Sequence, residues 1–549
     1  MRRFLVIALA VAPLLAGCGL IPGGGGEAVK AHDLNVVARD RVREGGTLRW
    51  GIATFPTQWN ANHVDGDSAT VRTVVDALMP APFRSDERGR VSPDADYVLR
   101  EAVTAVHPRQ TVTLRLNPEA RWSDGTPITW EDYRAQWRAM TGPAYRASST
   151  TGYQDIQSVA RGRDEHEVVI TFGRRFADWR SLFRPLYPRS ANASPAAFAT
   201  AWLDRIPVTA GPFKVESIDT LARIVTLVRD DAWWGDRARL DRIVYRAMGR
   251  QALAGAFAAG EIDVFDVAPS AADYVRVKAI PGAVVRRAAG PGFRHLTLNG
   301  RSPILSDPRV RRAVAMAVDR QAVAQAGLRG LDWPGTVPNN HFFMGVQHGY
   351  QDNAGALGVH DAAGAAALLE EAGWRAAGQT RRKDGKELVL RFVLPAGSPQ
   401  AESEGTLLRH MLGRVGIGLT LHPVPSGDFF ARHVIPGDYD LATFSYAATP
   451  FPVSGSYGVY AGAAGGRWHA NLGRIGSPEI DMALRAAAAE LDPELARDHA
   501  NVADRLIWEA VNVIPLYQRP QLVAVRPALA NIGARGLRDL RYQDIGFTG

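Results

Sequence analysis

At 549 residues the chain is too long for one hydrophobic core, and two or three domains are expected. Its 46% hydrophobic and 22% charged residues are those of an ordinary globular chain, not of a disordered or low-complexity one. The formal charge of +8 does not indicate nucleic-acid binding: only five basic residues are lysines (Lys30, Lys214, Lys278, Lys383, Lys386), and the arginines are dispersed rather than gathered into a phosphate-binding stripe.

The chain begins Met1-Arg2-Arg3, continues with an apolar run from Phe4 to Leu14, and reaches Leu15-Ala16-Gly17-Cys18. A basic start, a short apolar run and small residues before a cysteine read as an export signal over 1–17 that ends in a lipobox. The run is below the ~18 residues needed to span a bilayer. Cys18 is then the lipidated residue, with its thiol as acyl acceptor, and the protein is held at the outer face of the cytoplasmic membrane. It is also the sole cysteine, so no disulfide can form within the chain. Residues 18–44, with Gly23 to Gly26 and little apolar periodicity, read as a flexible tether.

Order begins at the strand-like Thr47 to Ile52, and strands dominate to about residue 295, among them Thr111 to Leu116, Val168 to Phe172, Ile224 to Val228 and Ile243 to Tyr245. One helix stands out there: Thr129 is its N-cap, Glu131 and Asp132 occupy the first turn, and Tyr133, Trp137 and Met140 follow at helical spacing. The second half alternates helix and strand. Asp307 and Pro308 open a helix expected to run to Gly327, and Asp361 opens another that ends before Gly373. Leu407 to Val415 forms a third, followed by strands at Ile417 to Leu421 and Tyr439 to Tyr446, with helix starts at Ser477-Pro478 and Asp492-Pro493. Strand character returns at Val513 to Val525. A β-rich part, an α/β part and a final return segment imply one lobe interrupted by another.

Enzyme signatures are absent. His166-Glu167-Val168-Val169-Ile170 lacks the second histidine of a zinc-protease helix. Ser456 precedes Gly458, but Ser454 stands where a nucleophile elbow needs glycine. There is no phosphate loop, and the thirteen histidines show no metal-site spacing. No catalytic activity, cofactor or metal is expected.

Gly45-Gly46-Thr47-Leu48-Arg49 and the run Leu116-Asn117-Pro118-Glu119-Ala120-Arg121-Trp122-Ser123-Asp124-Gly125-Thr126-Pro127 resemble the family 5 extracellular solute-binding proteins, the oligopeptide and dipeptide receptors of ABC importers. Further matches follow in the family's order: Ala210-Gly211-Pro212-Phe213, Asp231-Ala232-Trp233-Trp234-Gly235, Gly260-Glu261-Ile262-Asp263, Asp307-Pro308-Arg309-Val310-Arg311, Gly437-Asp438-Tyr439-Asp440-Leu441 and Ile514-Pro515-Leu516-Tyr517. The arginine bias suits an actinobacterial member. The resemblance implies an α/β fold of the two-lobe periplasmic-binding type with an extra subdomain and a hinge. Lobe I would comprise 45–65, 200–295 and 516–549, the subdomain 66–199, and lobe II 296–515. It further implies a monomeric receptor that closes on a peptide or another small solute and delivers it to a permease served by separate ATPase subunits.

Peptide receptors of this family usually carry an aspartate after the Tyr-Asp-Leu strand, where it pairs with the ligand's free amine. No acid occurs between Asp440 and Glu479 here, so that carboxylate is absent or comes from another element. The cleft is therefore expected to be aromatic and neutral, with Phe55, Trp59, Asn60, Asn299, Tyr446, Thr449, Phe451, Ser454, Tyr457, Tyr517 and Gln518 on the ligand. Oligopeptides are the first expectation. The alternatives are a glycan, glycolipid or haem-like solute, or a cell-envelope regulator that has lost transport.

Overall fold

The computed structural model describes residues 29–267 and 270–549. Cys18, the signal and the start of the tether lie outside the described residues. Among those described, no helix is long and apolar enough to cross a membrane.

Two long strands, Val284–Leu298 and Val513–Val525, lie side by side and antiparallel at the centre of a ten-stranded sheet. On one side the sheet continues through Val264–Val267, Thr47–Ile52, Arg242–Ala247, Ile224–Arg229 and Phe213–Asp219, and on the other through Leu441–Ala447, Val389–Pro395 and Gly418–Val424. The crossing strands thus belong to both halves. Their register slips between Ala289 and Phe293, so Gly290, Pro291 and Gly292 form a bulge where the halves part. A Cβ on Gly290 would stand 2.6 Å from the Arg519 carbonyl oxygen, so only glycine fits there. Thr47–Ile52 runs parallel to Val264–Val267, and Val389–Pro395 parallel to Leu441–Ala447. Because Val267 pairs with Leu522 and Ala447 with Gly292, the carboxyl ends of both sets point at the gap between the lobes, where open α/β sheets place ligands.

The subdomain is a four-stranded antiparallel sheet, Val98–Ala105, Thr111–Leu116, Glu167–Phe172 and Ile156–Arg161 in spatial order. Helix Trp130–Thr141 packs on it by burying Tyr133, Gln136 and Met140. The N-cap read from the sequence is Thr129, and the structure completes it as a capping box: the Thr129 hydroxyl accepts the Glu131 amide and the Asp132 carboxylate accepts the Thr129 amide. Leu114, Ile170 and Phe172 of this sheet join Leu48, Leu227 and Tyr245 in a single apolar core, so subdomain and lobe I share one interior.

Lobe II gathers Val314, Leu369, Leu390, Phe392 and Leu412 into a second core, which reaches Leu253, Phe257 and Phe265 of lobe I through Leu522 and Ala524 on the second crossing strand. The helix expected from Asp307 to Gly327 is two helices, Pro308–Ala317 and Arg320–Gly327. Asp319 breaks the run by accepting the Ala322 amide and capping the second helix.

The tether expectation fails for its C-terminal part. Asp33 exchanges backbone hydrogen bonds with Ala534, Arg43 donates its amide to Phe547, and Leu34 and Val42 are buried against lobe I. Each buried apolar side chain contributes roughly 1.5–3 kcal/mol, which Gly-rich sequence elsewhere in the segment cannot match.

Candidate functional site

One wall of the gap is the lobe II segment 441–460. In strand Leu441–Ala447, Tyr446 stacks on His295 at 4.2 Å between ring centroids, and Phe444 meets the same imidazole edge-on at 4.5 Å. Burial pushes the His295 pKa well below its ordinary value, so this is a neutral, packed ring. After the strand, the Thr449 hydroxyl accepts the Phe451 amide at 3.1 Å and donates to the Phe451 carbonyl at 2.9 Å. This tight turn leads into helix Pro452–Tyr460, with Pro452 in its first turn. Tyr457 on that helix is half-buried against the apolar cluster around Phe342 and Val453.

An acid of the subdomain reaches this loop. Asp178 Oδ2 accepts the Ser454 amide at 3.0 Å, so an acid on one side of the gap caps a helix on the other. Burial raises the Asp178 pKa, partly offset by this hydrogen bond. Arg184 from the same stretch lies over the Phe451 ring at 5.9 Å. The Ala177 amide donates to the Ala488 carbonyl of lobe II at 2.7 Å. Beside these contacts lies a cavity of about 400 Å³ lined by Gly89, Asp178, Phe343, Gln347, Phe451 and Arg497, within the size range of small-ligand sites.

Charged residues stand beside this contact, where the sequence led to the expectation of an aromatic, neutral cleft. Arg184 donates to Asp539 Oδ2 at 2.5 Å, and that oxygen also accepts the Ser85 amide at 2.7 Å and hydroxyl at 3.0 Å. Burial alone would raise the Asp539 carboxyl, but Arg184, the Ser85 amide and Arg535 together hold it below the ordinary range. Arg535 stands 3.9 Å from Asp76 and acts electrostatically on Asp266 as well. Asp76 and Asp266 are both open to water, yet desolvation by surrounding protein raises both carboxyls against the pull of Arg535. Asp76 follows helix Ala69–Val75 and Asp266 sits on strand Val264–Val267. Nothing in their local sequence marks either as a partner of Arg535.

Of the expected ligand residues, Tyr446, Thr449, Phe451, Ser454 and Tyr457 come together on the lobe II wall. Phe55 is half-buried, edge-on to Trp59 at 6.2 Å. Trp59 and Asn60 are corrections: both have no exposed surface, and Asn60 donates to the Phe198 carbonyl and accepts the Asn62 amide. Asn299 is likewise buried, donating to the Gly437 and Tyr439 carbonyls. Tyr517 and Gln518 sit on the crossing strand but are used internally: the Tyr517 hydroxyl donates to Glu404 and accepts from Gln400, and Gln518 donates to the Gly290 carbonyl. Short polar or aromatic residues at strand ends serve the fold and a ligand equally well by sequence, and here their bonds are spent on the fold.

Residues 99–468 match the family model described as bacterial extracellular solute-binding proteins, family 5 middle. The chain is 37% identical to the oligopeptide-binding protein OppA of Mycobacterium tuberculosis over 559 aligned residues, covering 99% of this chain and 93% of that one. Among solved structures, the periplasmic EDTA-binding protein EppA superposes with a TM-score of 0.83 at 23% identity, covering 96% of this chain and all of that one. The Bacillus subtilis oligopeptide-binding protein AppA, in complex with a nonapeptide, superposes at 0.74 and 17% identity, over 92% of this chain and all of that one. With the shared two-lobe architecture and the extent of these matches, the chain belongs to the family 5 bacterial extracellular solute-binding proteins.

Proposed function

We propose that this chain is the lipid-anchored receptor of an ABC importer, which captures oligopeptides between its two lobes and hands them to a membrane permease served by separate ATPase subunits. The observation that carries the reading is the meeting of two unlike walls across one hinge. An aromatic, hydrogen-bonding loop at 446–454 meets Asp178 and Arg184 from the other side, and Arg184 pairs with Asp539 of the charged group that includes Arg535, Asp76 and Asp266. A peptide presents the complement of both: apolar side chains and backbone amides along its length, and charge at its ends. The relationship to a mycobacterial oligopeptide-binding protein supports the same solute class.

Mass spectrometry of the protein purified from membranes and denatured tests both parts. The expected result is a set of co-purified peptides and an intact mass that begins at an acylated Cys18. Release of a non-peptide solute alone, or a polypeptide that retains residues 1–17, counts against the corresponding part.

A further inference from the structure

Arg519 lies on the second crossing strand between Gln518, which pairs with Phe293, and Pro520, which pairs with Ala289. It is therefore the residue that faces the Gly290-Pro291-Gly292 bulge, at the point where the lobes separate. Its side chain is half-buried, and among the described residues its guanidinium makes no hydrogen bond or ion pair. Desolvation pulls its pKa below the usual guanidinium range. A cation held out of water without a partner costs stability unless something pairs with it.

The neighbouring acid is not available to it. Glu404 takes Arg294 Nε on both oxygens at 2.9 and 3.1 Å, Arg294 Nη2 at 2.7 Å, the Tyr517 hydroxyl at 2.8 Å and Gln400 Nε2 at 3.3 Å. A carboxylate offers about four lone-pair positions, and these are filled. Two arginines and one glutamate leave one uncompensated positive charge at the hinge. Other desolvated arginines of lobe II are provided for differently: Arg311 donates to the Leu305 and Ala510 carbonyls, and Arg320 to those of Pro338, Pro515 and Gly358. Arg519 has neither an acid nor a carbonyl.

We propose that Arg519 is the docking point for a carboxylate of the bound solute, with Glu404 and Arg294 as positioning residues that keep the site one charge positive. This inference rests on the peptide-receptor reading. Chain-terminal and side-chain carboxylates share the chemistry, and guanidinium pairs with either in a bidentate fork.

The test uses the full chain and three pools of random octapeptides. One has free terminal carboxylates and no Asp or Glu, one is amidated without Asp or Glu, and one is amidated with Asp and Glu. The wild type is expected to retain the first or third at least about tenfold over the second, the first marking a terminal and the third a side-chain carboxylate. Arg519→Gln is expected to erase that preference and Arg519→Lys to restore part of it. Equal retention of all pools by the wild type overturns the carboxylate site while leaving peptide capture standing. A preference that survives in Arg519→Gln removes the role from Arg519. Retention of none overturns this inference and the peptide reading together. A second readout needs no ligand: Arg519→Gln should raise the melting temperature of the empty protein by relieving an unpaired charge, and a fall would show that Arg519 serves the fold instead.

Discussion

The lobe II wall of the gap is one continuous segment, 441–460, half of whose residues are aromatic or hydroxyl-bearing and none of which carries a formal charge. The charged group beside it is drawn from four segments, around Asp76, from Asp178 to Arg184, at Asp266 and from Arg535 to Asp539, each of which contributes at least one charge. The difference teaches how such a receptor divides its work. A contiguous strand and turn present a fixed row of rings and backbone groups, while charges brought from distant parts of the chain can hold opposite roles within a few residues of one another. Asp539 is an acid already paired; Asp76 and Asp266 share Arg535 as a more distant partner.

The largest effect that would break this comparison is at Asp539. Replacement by alanine strands Arg184 and the Ser85 donors, and should lower unfolding stability by about 3 kcal/mol, read as a fall in the denaturant midpoint. The pH dependence has a definite sign. The folded pKa of Asp539 lies below the unfolded value of about 3.9, so its stabilisation is complete above that pH and is lost as pH falls through the folded value. Asp539→Asn should therefore flatten the acid limb of the stability curve. An unchanged limb would mean the pairing is not made in solution.

A smaller effect is expected where the walls touch. Asp178→Ala removes the carboxylate that caps helix Pro452–Tyr460 across the gap, a loss of about 1 kcal/mol by analogy with ordinary N-caps. Because the contact joins the two sides, the loss should appear as a larger radius of gyration in small-angle scattering. Asp178→Asn keeps an acceptor oxygen and should retain most of the closed form. Identical curves for all three proteins would show that Asp178 does not hold the walls together.

The smallest effect sharpens the contrast inside the charged group. The folded pKa of Asp266 is raised, so its carboxyl destabilises the fold as pH rises above about 3.9 through the raised value, the reverse of Asp539. Asp266→Asn should increase stability at neutral pH by less than about 0.5 kcal/mol, since the group is open to water. A decrease would show that the acid already has a stabilising partner.

Of the lobe II wall the strand at Tyr439 to Tyr446 was legible in its alternation, whereas the Thr449 turn and the helix Pro452–Tyr460 were not read from the sequence. Trp59, Asn60 and Asn299 look equally suited to a ligand by residue type, and only the structure shows that Trp59 is fully buried and that the two amides donate to the Phe198 and Tyr439 carbonyls. The acids of the charged group were invisible, since Asp76 reads as a helix end and Asp178 and Asp266 as ordinary surface residues.

By itself the sequence determined what acts within a turn or two of the chain. The capping box at Thr129, the helix starts at Asp307, Asp361, Ser477 and Asp492, and the strand periods all follow from hydrogen bonds and apolar spacing among near neighbours. The ordered motifs carried the family as well. Tertiary structure alone decided that residues 33–43 dock on 534–547, that Asp178 caps a helix far along the chain, that Arg519 faces the bulge without a partner, and that Asp76 and Asp266 share Arg535. Each of these depends on which distant segments the two cores draw together, and burial rewards that closure whatever polar groups the closing brings face to face.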